Sequence, residues 1–207
     1  MNPKINESLV TEILHLLSFG LTKGIGNPSP GQMCVEALIT QALGEEFSDN
    51  PSCVGSEVRK CKIELNDCDW PSNEARAEGM KKLAIAQLGS DTLNQEEFRQ
   101  KLKLNSTKKI LPYIIQKHYE ECKDEKLLEY KQKFEKLKKL DDNLWKEFYY
   151  NYNYYYNHYY YYYYYDYNDY NYNYYYGIDF LNLIADTILQ TLIEMKSPGC
   201  KYLYLCK

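Results

Sequence analysis

The stretch SNEARAEGMKKLAIAQLG, residues 72–89, decides the fold class. Ser72 has the side chain of a helix N-cap, Gly89 suits the residue after a helix end, and nothing between them alternates as a strand would. Ala75, Gly79, Leu83 and Ala86 fall on one side of this helix. A glycine in mid-helix costs about 1 kcal/mol against alanine. Gly79 therefore marks a place where a neighbour comes close, and tight helix packing explains it better than a ligand does.

The same pattern extends towards the N-terminus. Leu9, Ile13, Leu16 and Leu17 give Asn6 to Ser18 the stripe of an amphipathic helix. After the Gly/Pro-rich stretch 20–31, Ser29 is expected to cap a second helix, with Pro30 in its first position, Gln32 completing a capping box, and Gly44 closing it. Asn50-Pro51 reads as the next start, with Val54, Val58, Cys61 and Leu65 as a buried stripe. The break Asn66-Asp67-Cys68-Asp69-Trp70-Pro71 then leads back to Ser72.

Towards the C-terminus, Asn94 to Glu97 forms a capping box for a short helix through Phe98 and Leu102. From Ser106 to Phe148 lysine and glutamate dominate, and two or three long helices are expected, with Pro112 marking a start or a kink. Leu127, Tyr130, Phe134 and Leu137 step like a coiled-coil seam that loses register at Leu140, Leu144 and Phe148. Phe180, Leu181, Ile184, Ile188, Leu192 and Met195 give Gly177 to Lys196 a final amphipathic face, expected to dock on the lysine-rich helices or on a second copy. The tail from Ser197 to Lys207 is expected to be mobile.

Residues 149–176 hold 19 tyrosines, six asparagines, two aspartates and one histidine. All four are encoded with A in the middle and a pyrimidine last, so slippage of an A/T-rich repeat generates this set. Twenty-two lysines against three arginines fit the same bias. A near-uniform segment defines no unique core, so a disordered, tolerated linker is expected ahead of a self-associating aromatic segment. The fold expected is thus mainly α: a small orthogonal helical module over 1–105 that folds alone, Lys/Glu-rich helices over 106–148, a disordered Tyr/Asn tract over 149–176, and a C-terminal amphipathic helix and tail over 177–207.

Net charge is -4 with acids and bases nearly balanced, which gives no support to a nucleic-acid partner. Lys108, Lys109, Lys131, Lys133, Lys136, Lys138 and Lys139 are interleaved with acids and read as a solvated face. No secretory leader and no uncharged apolar run of about 18 residues is found, so an intracellular protein is expected, with no membrane partner. Partners, if any, are proteins or second copies, meeting the chain through the 106–148 helices, the tyrosine tract or the C-terminal helix.

Seven cysteines without a CxxC pair read as free thiols, and no metal or cofactor is expected. Cys34, after a Gly/Pro loop and near a helix start, is the one candidate nucleophile, as in cysteine hydrolases. Only His15, His118 and His158 could serve as its base, and none carries a motif that seats it there. A helix capped at Ser29 would put Cys34 in the second turn, away from the dipole. A buried, inert thiol is the preferred reading. Asp67 and Asp69 have the spacing of a calcium loop, but Ser72 stands where its glycine belongs, so a turn anchoring Trp70 is expected instead. Gly24-Ile25-Gly26 is too short for a phosphate loop.

Gly31-Gln32-Met33-Cys34-Val35-Glu36-Ala37, Ala42-Leu43-Gly44, Cys53-Val54, Leu65-Asn66-Asp67, Trp70, Ser72, Glu74 to Gly79 and Ala84 to Gly89 together resemble an uncharacterised family of tailed phages and giant viruses. The resemblance covers about Gly26 to Phe98. It implies a viral setting, with the host cytoplasm or the virion as location, and a compact helical module without an established activity. A viral accessory or interaction protein is the function expected, with a thiol-dependent hydrolase or isopeptidase using Cys34 as the alternative.

Overall fold

The computed structural model describes residues 5–151 and 173–207. Most of the tyrosine tract, and with it the expectation of disorder there, lies outside the described residues. The chain is mainly helical, as expected, and divides into two compact units: residues Met1–Leu102 with Asn173–Lys207, and Lys103–Tyr172.

The first unit is built around α4 (Asn73–Ala86), which packs against α1 (Glu7–Leu17), α2 (Val35–Leu43), α8 (Asn173–Glu194) and a C-terminal 3₁₀ helix (Pro198–Leu205). α3 (Ser56–Asn66) lies against α2 and α8, and a 3₁₀ turn (Ser90–Thr92) leads into α5 (Gln95–Cys122). The local signals explain most of these boundaries. Asn6 caps α1 by accepting from the Leu9 amide, and Ser72 caps α4 by accepting from the Ala75 amide. Gly44 takes the left-handed conformation that ends α2.

α2 departs from expectation, because it begins at Val35 with Cys34 as its cap and not at Pro30 with Ser29. The reason is non-local. Residues 22–27 and 32–34 fold back on each other through Thr22 N–H to Met33 O (2.9 Å), Asn27 N–H to Gln32 O (2.7 Å) and Cys34 N–H to Ile25 O (3.2 Å). The backbone of residues 32–34 is held extended by this bridge between Gly26 and Met33, so the helix cannot start earlier. Gly26 has φ 74°, and a Cβ there would sit 1.9 Å from the Gln32 carbonyl oxygen. α3 likewise starts at Ser56, after Gly55, and not at Asn50-Pro51.

The C-terminal segment supplies part of the core. Leu181, Ala185, Ile188, Leu192, Tyr202 and Cys206 are buried in the same cluster as Leu9, Ile13, Val35, Leu38, Met80 and Leu83. α8 docks on α4 and α3 within the first unit, and the tail expected to be mobile is a 3₁₀ helix. Ser197 Oγ donates to Ala86 O (2.6 Å) and Gly199 N–H to Leu88 O (2.7 Å), using carbonyls that the end of α4 leaves open. The approach is close: a Cβ at Gly199 would lie 2.1 Å from Ile85 O. Residues 1–105 thus do not close their own core.

The boundary between the units falls at Leu102/Lys103, near the division expected at residue 105 but inside a helix: the short helix through Leu102 continues to Cys122 as α5. Asn94 Oδ1 accepts from the Glu97 amide at its start, as the capping pattern predicts. Pro112 sits inside it, where its missing N–H leaves a carbonyl one turn earlier without its helical donor.

The second unit adds α6 (Glu125–Glu135), capped by Asp124, and α7 over 142–151. Leu127, Tyr130 and Phe134 are buried, whereas Leu137 lies beyond the end of α6. The seam is used within the chain. Phe134 meets Trp145 and Phe148 with ring centroids 5.3 and 5.2 Å away, and Tyr130 meets Phe148 at 5.1 Å. Such edge-on and tilted aromatic pairs contribute about 1 kcal/mol each beyond their burial.

Candidate functional site

Cys34 ends the bridged loop and opens α2. Its Sγ accepts from the Ala37 amide (3.4 Å), and the next amide, Val35 N–H, donates to Asn66 Oδ1 (3.3 Å). A cap position is where a helix dipole can lower a thiol pKa. Burial outweighs it here: Cys34 is 4% exposed, and its thiol is pushed up to about 11, with Glu36 and Asp49 adding to the rise. Cys53 is likewise raised to about 11 by burial. Of the proposed bases, His15 is exposed and packs edge-on against Phe19, and His118 lies beside Glu121 in the second unit. His158 lies outside the described residues.

One turn into α2 stands a group that the sequence pattern did not single out. Glu36 is fully buried, and its Oε1 lies 3.2 Å from Nζ of Lys62, which is fully buried on α3. The buried Gln87, just past the end of α4, donates from Nε2 to Glu36 Oε2 (3.2 Å). The ion-pair approach is at an angle that makes no hydrogen bond; Glu36 Oε1, Lys62 Nζ and Gln87 Oε1 find no hydrogen-bond partner among the described residues. Burial raises the Glu36 carboxyl and lowers the Lys62 ammonium, each pulled back in part by its partner. A signal for this cluster does exist in the sequence. α2 is buried at every position from Val35 to Thr40, so it has no polar face on which Glu36 could be solvated. Lys62 follows Val58 by four, on the buried stripe of α3.

Around this cluster lies a polar knot. Asn66, also buried, donates from Nδ2 to Thr22 O and to Asp67 Oδ1, both at 2.9 Å. Asp67 also accepts from the Gly24 amide (2.8 Å), and Asp69 pairs with Lys23 (2.9 Å). Arg76 spends its donors on Asn66 O, Leu21 O, Asn73 Oδ1 and Cys68 O. Trp70 donates to Leu65 O (2.9 Å) and lays its ring on Gly79, where a Cβ would be 2.3 Å away. The turn at 66–70 is therefore an anchor for Trp70, and Gly79 serves packing. Among the described residues no three His, Cys, Asp or Glu side chains are grouped to hold a metal ion. All seven cysteines are free thiols.

An open concave surface of the first unit runs between α4 and α8, a groove of about 430 Å³. Glu78, Lys82, Asp186, Gly79, Asn182 and Leu189 are among the residues that line it. Ile178, which also lines it, is 39% exposed. Of the seven lysines considered for nucleic acid, Lys131 bonds to Gln116 (3.0 Å) and Lys133 pairs with Glu147 (3.9 Å). No described helix is long and apolar enough to cross a membrane. No protein-family model, curated protein or solved structure matches the chain.

Proposed function

We propose that this chain is an interaction protein that acts on no substrate, in the viral setting its central helices resemble, and that it holds a protein partner in the groove between α4 and α8. The observation that carries this reading is a contrast in access. The groups able to do chemistry, Cys34, Glu36 and Lys62, are closed inside the first unit, while the groove presents an exposed apolar residue, Ile178, among charges of both signs. Such a surface suits an apolar anchor with a polar rim on the partner. It also assigns the partner to the C-terminal helix, one of the surfaces expected from the sequence.

The test is to recover the tagged full-length chain and its Ile178→Asp and Lys82→Glu variants from the cells that make it. A protein retained by the parent chain and lost from both variants, with their helical circular dichroism unchanged, supports the groove. Equal recovery by all three removes it. The alternative, a hydrolase on Cys34, draws on the cap position of that thiol but has burial against it.

A further inference from the structure

We propose that Lys62 and Glu36 condense to an intramolecular isopeptide bond that ties α3 covalently to α2. The amine and the carboxyl carbon it would attack are already adjacent. Nζ is 3.2 Å from Oε1, and the carboxyl carbon is one bond of about 1.2 Å further, so a small rotation of either side chain gives an attack distance of about 3 to 3.5 Å.

Burial pushes the Glu36 carboxyl up and the Lys62 ammonium down, each towards its neutral form, because neither side chain has any contact with solvent and a buried charge is costly; the condensation proceeds from the neutral pair. A neutral amine is a nucleophile and a neutral carboxylic acid is an electrophile, whereas an ammonium facing a carboxylate is neither. Gln87 completes the arrangement. Its Nε2 holds Oε2 at 3.2 Å, which orients the carboxyl and places an N–H where negative charge develops during attack.

The step balances without a co-reactant. The Nζ lone pair forms the bond to the carboxyl carbon, and the C=O pair moves onto Oε2, beside the Gln87 N–H. As that pair returns, the bond to Oε1 breaks, and Oε1 leaves as water carrying the acid proton and one proton from Nζ. Nothing is oxidised or reduced. An interior without solvent favours release of the water and slows hydrolysis of the amide. The product would staple two helices of a chain whose seven cysteines are all free, a cross-link open to a protein in a reducing compartment.

Mass spectrometry of the denatured full chain tests this directly. The expected result is a mass lower by one water than the sequence requires, a branched peptide joining the Glu36 and Lys62 segments after proteolysis, and the full sequence mass in Lys62→Arg. A parent chain with the full sequence mass, or a water loss that maps elsewhere, overturns the proposal. Because the parent chain alone decides, the folding of the variant does not affect the outcome.

Discussion

Tyr202 donates its phenolic hydrogen to the carbonyl oxygen of Ile5 at 3.0 Å, joining the C-terminal 3₁₀ helix to the residues that lead into α1. The two residues are separated by almost the whole chain, and the bond is buried. Tyr202→Phe leaves that carbonyl without its donor and is expected to destabilise the first unit by about 1 to 2 kcal/mol. Tyr202→Ala adds the lost packing of the ring and is expected to cost about 3 to 5 kcal/mol. Urea titration followed by circular dichroism measures both, and a Tyr202→Phe midpoint equal to the parent's would show that the bond adds nothing.

Thiol accessibility gives an independent reading. Cys122 is exposed, whereas burial raises Cys34 and Cys53 to about 11. At pH 8 a thiol with that pKa is ionised to about one part in a thousand. A small disulfide reagent at pH 8 should therefore label Cys122 first and leave Cys34 and Cys53 unlabelled until the protein is unfolded. Labelling of Cys34 as fast as Cys122 would favour the hydrolase reading.

The pH dependence of stability should carry the signature of Glu64 on α3. Burial pushes its carboxyl up from 4.5 to about 8, with Lys60 pulling it back and Glu57 adding to the rise. Between those values the folded protein holds a proton that the unfolded chain has released, so stability from this group falls as pH rises from about 4.5 to 8. Glu64→Gln should flatten that decline and be more stable than the parent at pH 8. A parallel decline in parent and variant would show that Glu64 is not its source.

These outcomes also separate what was legible in the sequence from what was not. The caps at Ser72 and Asn94 and the stop at Gly44 were readable because each depends on neighbours within one turn. The cap at Ser29 was misread because the start of α2 depends on hydrogen bonds from Thr22 and Asn27 to residues 32 and 33, which no local pattern carries. α5 runs past Ser106 without a break, and Thr107 Oγ1 there turns back onto Lys103 O (2.9 Å), a bond made within the helix.

The buried pair was harder to see. Charged residues on a helix normally face solvent, and the sign that Glu36 does not is indirect: it is the one charged residue in the stretch Val35 to Thr40, which leaves α2 no polar face there. The order of the tail was missed for a related reason. Ser197, Gly199 and Tyr202 form no amphipathic stripe; they are fixed by carbonyls of Ala86, Leu88 and Ile5 from elsewhere in the chain.

The claim beneath these points is that one core is built from both ends of the chain, and unfolding of the N-terminal segment by itself tests it most directly. Residues 1–105 lack Leu181, Ile188, Leu192 and Tyr202 from their core and should show no single cooperative urea transition when alone. Addition of a peptide spanning residues 173–207 should restore one. If residues 1–105 unfold cooperatively at the midpoint of the full chain without that peptide, the C-terminal segment is not part of the core and the account fails.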